Sequence, residues 1–594
     1  MALSFALPIQ QIIVCGVTLV LIVFLFLERV RPAFLFFTAV LIFLLVGIID
    51  TADLLEALAN ESILSVFLLI FITTGIKTHF NLIGWLDRLF AKAKNGKNFM
   101  LRMTTTVAGA SAVLNNTPIV ALFLPYVYQW SRKNKVSPSK LLIPLSFAAI
   151  AGGMMTVIGT STNLVLKGLI EAKNETPPGI LDYLLPGLFV SIGGILFLYF
   201  WGYKHLPNRI DLLKEVERQP REYLVEVRIV TNSSIIGQSV NQADLRNLKG
   251  VYLFEIIREG RSISPVSPQE VIQKGDALVF AGDTDNIMEL LERKQDFTPP
   301  LGIDKNEKLD RLNIIETVIP FNSELVGKSL KDLEFRENYD AAVLAVHRKG
   351  ERLNGKIGEL PLQAGDLLLI SPGETFQHQM ENRKSLYLVS THQKRNKAHS
   401  LAKKGFVVVL IALIAGISFG VWSLFFALLL LMAFMVATKL LSIGQIKQEL
   451  DIDLLVILIS SLAFSTALIQ SGAAQLLADN LMLFFQPLGP AGVIIGVYII
   501  TLLLTTFVTH VAAVSIVFPI GYALALQLPD VNSTALFLAI AFAASASFHS
   551  PFSYQTNTMV LGPGGYKLKD FIKIGSPFTL IYSILALAFI LLYY

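Results

Sequence analysis

The sequence predicts a polytopic α-helical membrane protein made of two related halves in opposite orientations, with two re-entrant hairpins, two helices broken at membrane depth and a soluble α+β tandem insert. Three observations predict it. The 594 residues are 53% hydrophobic with a mean hydropathy of +0.60, too apolar for a soluble chain. Of the 93 charged residues (49 + 44 = 93), 59 fall between Lys204 and Lys404, so two apolar blocks flank one polar insert. Finally, polar interruptions recur: Leu124-Pro125 precedes Thr162-Asn163 by 162 − 125 = 37, and Phe518-Pro519 precedes Thr556-Asn557 by 556 − 519 = 37. Both pairs are displaced by 519 − 125 = 394 residues, which maps Asn115-Asn116-Thr117 onto Thr509-His510-Val511. Matched interruptions in the two halves of a membrane protein point to the binding site of an inverted-repeat transporter.

Charge and composition exclude several classes. A net charge of +5 in this setting is a topological signal, not a nucleic-acid footprint. The single cysteine, Cys15, lies in an apolar run and excludes disulfides and Cys-based metal sites. Met1–Gln11 lacks a positive n-region, so the first apolar run reads as the first span. No G-x-S-x-G, H-E-x-x-H or Walker Gly-Lys-Ser/Thr motif is present, which argues against an enzyme and against an ATP-driven pump. Transport must then draw on an ion or exchange gradient.

In chain order, residues 1–203 form the first transmembrane repeat. Apolar runs at Pro8–Leu27, Ala33–Ile49 and Ile63–Ile76 are three spans, the last extended at its ends. Arg29 and Arg31 follow the first, acidic residues alone (Asp50, Asp53, Glu56, Glu61) fill the next loop, and Lys77, Arg88, Lys92, Lys94, Lys97 and Arg102 follow the third. The positive-inside rule places the N-terminus outside. Met100–Trp130 has positive charge at both ends, so it enters and leaves on one face, with Asn115–Pro118 at its tip. Leu141–Ile170 carries Gly152-Gly153, Gly159 and Thr160-Ser161-Thr162-Asn163 midway and reads as a broken helix; Tyr183–Trp201 returns to the inside. Lys167 and Lys173 are a mild exception to the charge rule.

Residues 399–594 repeat this plan from the other side. Spans at Gly405–Ser418, Trp422–Ala437 and Leu454–Ile469 lead, through a loop without Lys or Arg up to Pro490, to a hairpin at Val493–Ala525, a broken helix at Leu536–Val560 and a last span at Leu580–Leu592, with the C-terminus outside. Trp85, Trp130, Trp201 and Trp422 fall near span ends as interfacial anchors. The insert, cytoplasmic over 204–404, is itself a repeat. Asn232-Ser233, Gly237, Ser239, Arg246, Arg258, Gly260 and Gly275-Asp276 recur as Asn322-Ser323, Gly327, Ser329, Arg336, Arg348, Gly350 and Gly365-Asp366, displaced by 322 − 232 = 90. Strands at Val225–Val230, Val251–Ile257, Ala277–Ala281 and Leu367–Ile370 divide it into modules at 204–296 and 312–398, joined by a Pro- and charge-rich linker at 297–311.

The two tips and two breaks offer hydroxyls, amides and free backbone groups with little formal charge. Broken helices present N–H groups to anions and carbonyls to Na⁺, which favours a cation-coupled anion carrier. Asn115, Asn116, Thr117, Thr162, Asn163, Thr509, His510, Thr556 and Asn557 are the expected substrate ligands, and Asn116, Gly159, Thr160 and Ser553 the expected cation ligands. Against this stands the plain reading of Asn116, Thr162 and Asn163 as helix-packing polar groups. His510 is either a proton-coupling group or a neutral hydrogen-bonding ring, and His549 has a weaker claim to either role. Asp451 and Asp453 read as a helix N-terminal feature, and Arg246, Arg336, Arg258 and Arg348 as a solvated or subunit-facing surface that could also hold an anionic regulator.

GASAVLNNTPIVALFLP, GGMMTVIGTSTNLVL and SASFHSPFSYQTNTMVLGPGGYKLKDF resemble the divalent anion/sodium symporter (DASS, INDY-like) family, and the paired IIGQSV/LVGKSL and KGDALVFAG/AGDLLLISP of the insert resemble two TrkA-C (RCK-C) domains. The resemblance implies an elevator-type carrier, a homodimer, taking up sulfate or dicarboxylates with Na⁺ and regulated from the cytoplasm by a nucleotide-like or anionic ligand, with no other cofactor and no nucleic acid. The family's Ser-Asn-Thr tip falls on Asn115-Asn116-Thr117; at the second tip His510 replaces the amide and Val511 lacks a side-chain oxygen. Sulfate is the expected substrate. A dicarboxylate symporter, an arsenite-type exporter and, in another class, a ligand-gated channel or receptor are the alternatives.

Overall fold

The computed structural model describes residues 8–594 apart from 28–29, 80–89, 91–92, 94, 210–223, 231–232, 246–250, 260, 283–314, 321–322, 349–350, 354–356, 374, 377–378, 380–385, 389–399, 420 and 552. The linker at 297–311 and Arg29, Trp85, Arg88, Lys92, Lys94, Asn232, Arg246, Gly260, Asn322 and Gly350 lie outside the described residues.

Apolar runs become helices because only an α-helix satisfies every backbone N–H and C=O within one segment when no water is present. The first half runs α1 (Ile9–Leu27), α2 (Pro32–Val46), α3 (Thr51–Leu58), α4 (Glu61–His79), α5 (Gly96–Ser111), α6 (Asn116–Lys133), α7 (Leu142–Gly153), α8 (Ser161–Glu171) and α9 (Ile180–Phe197). The second runs α10 (Ser400–Ser418), α11 (Leu424–Ala437), α12 (Ile443–Glu449), α13 (Ile452–Gln470), α14 (Ala473–Phe485), α15 (Gly489–Phe507), α16 (His510–Gln527), α17 (Ser533–Ala544), α18 (Gln555–Leu561) and α19 (Leu568–Tyr593). Among the described residues, seven stretches are long and apolar enough to cross a membrane. Asp451 caps α13 by accepting from the Leu454 N–H at 3.0 Å, the N-terminal role its position implies, and Asp453 pairs with Arg31 at 3.2 Å.

Three stretches depart from the expected loops: the acidic one after Ile49 contains α3, started by a capping box between Asp50 and Asp53, and the other two lie in the second half. The segment after Ile469, read as a plain loop up to Pro490, contains α14, with apolar residues at helical spacing; Ala473, Ala474, Ala478 and Leu481 are buried. The loop carrying Lys439 and Lys447 contains α12, started by a capping box between Ser442 and Gln445. None of the three is long enough to span a bilayer, so a span-based reading passes over them.

The helices pack as two groups. One has α13 against α2 and α3, α11 against α4, and α1 against α2. In the other, α7 lies between α5, α6, α9 and α18, while α17 lies between α15, α16 and α19. Contacts of α8 with α4 and of α16 with α13 join them. Close approach in the second group depends on small residues: a Cβ at Gly152 would run into the Ala108 backbone, so α5 and α7 meet backbone to backbone.

The insert holds two antiparallel sheets. The first comprises β1 (Leu224–Arg228), β2 (Val251–Arg258), β3 (Arg261–Ile263) and β4 (Ala277–Gly282) in the order β1-β4-β2-β3. The second comprises β5 (Ile315–Val318), β6 (Ala341–Arg348), β7 (Glu351–Arg352), β8 (Leu367–Pro372) and β9 (Tyr387–Leu388) in the order β7-β6-β8-β5-β9. The offset of 90 carries β2 onto β6 (251 + 90 = 341) and β4 onto β8 (277 + 90 = 367). The repeated glycines have a backbone reason: Gly237, Gly275, Gly327 and Gly365 all adopt φ between +83° and +90°. The repeated arginines differ from the solvated surface expected of them. Arg258 chelates buried Asp276 at 2.9 and 2.8 Å, and Arg348 chelates buried Asp366 at 2.8 and 2.8 Å. Two carboxylates, Asp276 and Glu270, hold the Arg258 guanidinium above its ordinary pKa. Arg336 donates to the Val266 carbonyl at 2.9 Å and joins the modules.

Candidate functional site

The two polar interruptions are where helices start. Helix α6 begins at Asn116 and α16 at His510 (116 + 394 = 510); α8 begins after Thr160 and α18 after Tyr554 (160 + 394 = 554). Gly152 and Gly153 end α7 and Gly159 lies in the break before α8, while Ser545 to Pro551, closed by a proline that has no N–H to donate, lies between α17 and α18.

Contacts among these four starts bring them to one place. Thr160 Oγ1 lies 3.2 Å from the Tyr554 hydroxyl, a pair separated by the repeat offset itself, so corresponding points of the two halves touch. Thr117 Oγ1 donates to Gln555 Oε1 at 3.1 Å. The His510 ring stacks on Tyr554 with centroids 4.4 Å apart and planes 9° from parallel. Asn116 joins the first tip to the first break. With its nitrogen turned toward the surrounding oxygens, it donates to the Ala149 carbonyl (2.8 Å), the Ser111 hydroxyl (2.6 Å) and the Gly159 carbonyl (3.3 Å), whereas an oxygen placed there would face only acceptors. At the second tip Thr505, the repeat position of Ser111 (111 + 394 = 505), donates to the Ala544 carbonyl at 2.8 Å.

Both breaks are stapled alike. Asn163 Nδ2 donates to the Thr156 carbonyl at 3.0 Å and Asn557 Nδ2 to the Ser550 carbonyl at 3.1 Å, seven residues back in each case. The amide oxygens differ. Asn557 Oδ1 accepts from Ser146 Oγ at 2.7 Å, and that serine also meets Thr556 Oγ1 at 2.9 Å. Asn163 Oδ1 is buried with no partner. Ser553 Oγ donates to the Ser547 and Ser550 carbonyls at 3.0 and 3.2 Å. Thr509 caps α16, accepting from the Ala512 N–H at 3.4 Å, and Asn115 precedes α6 in the corresponding position.

The expected residues therefore assemble around one centre. Asn116, Thr160, Thr162, Asn163, Thr556, Asn557 and Ser553 are buried there, and Asn115, Thr117, Thr509 and His510 are half-buried. His549 lies in the second break, next to Ser550, whose carbonyl accepts from Asn557 and Ser553. Ser111, Ser146 and Thr156 were missed by residue type alone, while Tyr554 and Gln555 fall inside the expected stretch Ser553–Asn557 without having been singled out. The offset could have found Tyr554, since it maps Thr160 onto it; nothing in the sequence marks Ser146. No Asp, Glu, Lys or Arg occurs from Ala108 to Trp130, Leu141 to Leu166 or Phe507 to Leu561 other than Asp530 in the loop between α16 and α17. Negative charge here meets helix N-termini and hydroxyls, and a small cation meets carbonyl and amide oxygens, of which Asn163 Oδ1 is unclaimed.

This is the build of a polytopic helical membrane transporter, not of an enzyme. The chain belongs to the citrate transporter (CitMHS) family, whose family model matches residues 20–431 and 414–594. It is 32% identical over 575 residues, 94% of this chain and 97% of the relative, to a Chlamydomonas reinhardtii protein named for a regulatory part in the sulfur deprivation response. It is 32% identical over 512 residues, 83% and 82% of the two chains, to an uncharacterized transporter of Synechocystis. Sodium/sulfate cotransporter 1 of C. reinhardtii is 28% identical over 455 residues, 72% of this chain and 50% of that protein.

Proposed function

We propose that the protein is a secondary active carrier that takes up sulfate with Na⁺ by an elevator motion of the helix group bearing the site. The observation that carries this reading is the meeting of four helix starts, equivalent in pairs at one offset, around a centre without charged side chains. Helices α6, α8 and α16 direct N-terminal N–H groups to a small dianion, hydroxyls supply orientation, and a co-bound Na⁺ at Asn116, Gly159, Thr160 and Asn163 balances charge. Among the described residues no carboxylate is bonded to His510, and its ring packs flat on Tyr554, which supports a passive role and Na⁺ coupling. A centre with no Arg or Lys to clamp carboxylates, together with relatives named for sodium and sulfate, favours sulfate over citrate or a dicarboxylate. The hairpins α5–α6 and α15–α16 are re-entrant from opposite faces, both termini lie outside, and the two sheets are cytoplasmic TrkA-C domains that regulate a homodimeric carrier.

The test is labelled sulfate uptake into proteoliposomes under an imposed Na⁺ or pH gradient, competed by thiosulfate, molybdate, succinate or citrate. Na⁺-driven uptake competed by the oxyanions is expected. Uptake driven by the pH gradient alone would overturn Na⁺ coupling, and competition by succinate or citrate alone would overturn sulfate. The sulfur-deprivation relative, similar over nearly its whole length, favours a second reading as a sulfate receptor. A receptor would show thermal stabilisation by sulfate with no flux.

A further inference from the structure

The two insert modules share one fold but not one surface. In the first module, nothing lies within 4 Å of a Cβ at the Gly275 turn. In the second, the same turn at Gly365 lies against α18, where a Cβ on Gly365 would stand 3.4 Å from Thr558 Cγ2, the Thr558 carbonyl and Leu561 Cδ2. The approach is backbone to backbone, since a Cβ on Gly562 would stand 2.6 Å from the Gly365 carbonyl. Beside it, Val318 and Leu367 of the second sheet join the buried apolar cluster of the membrane helices, and the Tyr128 hydroxyl of α6 donates to buried Glu316 at 3.1 Å. The first module has Arg228 and Ala277 where the second has Val318 and Leu367 (318 − 90 = 228; 367 − 90 = 277). Glu316 and Gly365 recur as Glu226 and Gly275, so what is particular to the second copy is the apolar pair Val318 and Leu367. The first module reaches the second through Arg336 to Val266 and Ser264 to Ser371, and so is placed to pass a signal to it.

We propose that the face formed by Glu316, Val318, Gly365 and Leu367 is an intramolecular brake on transport. It holds the far end of α6, whose start carries Asn116 and Thr117, to α18, which carries Thr556 and Asn557. Docked, it ties the first tip to the second break and covers the approach along α18 through Thr558, the neighbour of Asn557. Released, it frees the helix group that carries α6, α7 and α18 to move. The brake deepens the carrier reading above and rests on it.

The test uses the full chain with the first module's own residues placed in the second, Val318→Arg with Leu367→Ala, which this sheet accommodates in its sister copy. Sulfate uptake is expected several-fold above wild type, and Gln555→Cys in a Cys15→Ser background is expected to react faster with a thiol reagent once the face is released. Conversely, Tyr128→Cys with Glu316→Cys in the Cys15→Ser background, bridged by a bis-methanethiosulfonate that forms a mixed disulfide with each thiol and releases two methanesulfinates, is expected to lose uptake and regain it on reduction. Equal uptake in the wild-type, released and bridged proteins would overturn the brake while leaving the carrier reading intact. So would lower uptake in the released form. If no form moves sulfate, the carrier reading fails and the labelling decides: faster reaction at Gln555→Cys in the released form keeps the docked cover, and unchanged reaction overturns it.

Discussion

Ser146→Ala removes one oxygen from the centre of the protein, and its effect can be worked out from the bonds that oxygen makes. Ser146 is fully buried on α7 and holds two residues of α18, Asn557 Oδ1 at 2.7 Å and Thr556 Oγ1 at 2.9 Å. It has one proton to give. An amide oxygen can only accept, so the proton goes to Asn557 and Thr556 must be the donor in the other bond. Alanine leaves no cavity of consequence but strands a buried acceptor and a buried hydroxyl together. Interhelical hydrogen bonds in membranes average only about 0.6 kcal/mol because the alternative states find other partners. A buried acceptor left without a partner instead costs about 1–3 kcal/mol. The second figure governs here, since Asn557 Nδ2 is already committed to Ser550 and the amide cannot turn. With every 1.4 kcal/mol worth tenfold, that cost sets an upper bound of about 5- to 140-fold on the rise in KM for the transported anion, and whatever part is also borne without the anion lowers the melting temperature instead. The assay is initial uptake against anion concentration, alongside a thermal melt of the purified protein. Ser191→Ala is the control: that hydroxyl is buried without a partner, so its loss should be neutral. A Ser146→Ala protein with the KM and melting temperature of Ser191→Ala would refute the reasoning.

Gly159→Ala would place a Cβ 2.5 Å from the Gly153 carbonyl and 2.6 Å from the Ser111 carbonyl, backbone atoms that cannot step aside. Overpacking of this kind costs about 1–3 kcal/mol, and uptake should fall with a lowered melting temperature. Exchanging His510 for Phe keeps a flat ring on Tyr554 and should retain Na⁺-driven uptake, while exchanging it for Ala forfeits a stack worth about 0.5–1.5 kcal/mol and should reduce it. Loss of uptake in both would make the imidazole a proton carrier. Arg258→Ala leaves Asp276 charged and buried in the first module, a defect worth about 3–5 kcal/mol, so an early unfolding step should appear in the melt. Arg348→Ala should do the same in the second module and, by loosening its docking face, also change uptake.

Much of the architecture could be read directly. A long apolar run satisfies its own backbone as a helix, and polar residues within it mark where helices start, so the helix starts, the breaks and the 394-residue offset follow from residue order. So do the 90-residue repeat of the insert and its left-handed glycines. Helices α3, α12 and α14 were not legible, because a short amphipathic segment carries no length signal.

What the sequence determined by itself was which residues interrupt the helices: Asn116, Thr160, His510 and Tyr554 are fixed by a pattern of polar groups at a constant spacing. What only tertiary structure decided was how their hydrogen-bonding capacity is shared out. Asn163 and Asn557 are identical in the repeat, yet one amide oxygen is taken by Ser146 and the other is left open. Gly275 and Gly365 turn alike, yet only one meets the membrane helices. Equivalent residues acquire different partners because contacts between positions hundreds of residues apart depend on which surfaces are packed together, and no local pattern records that choice.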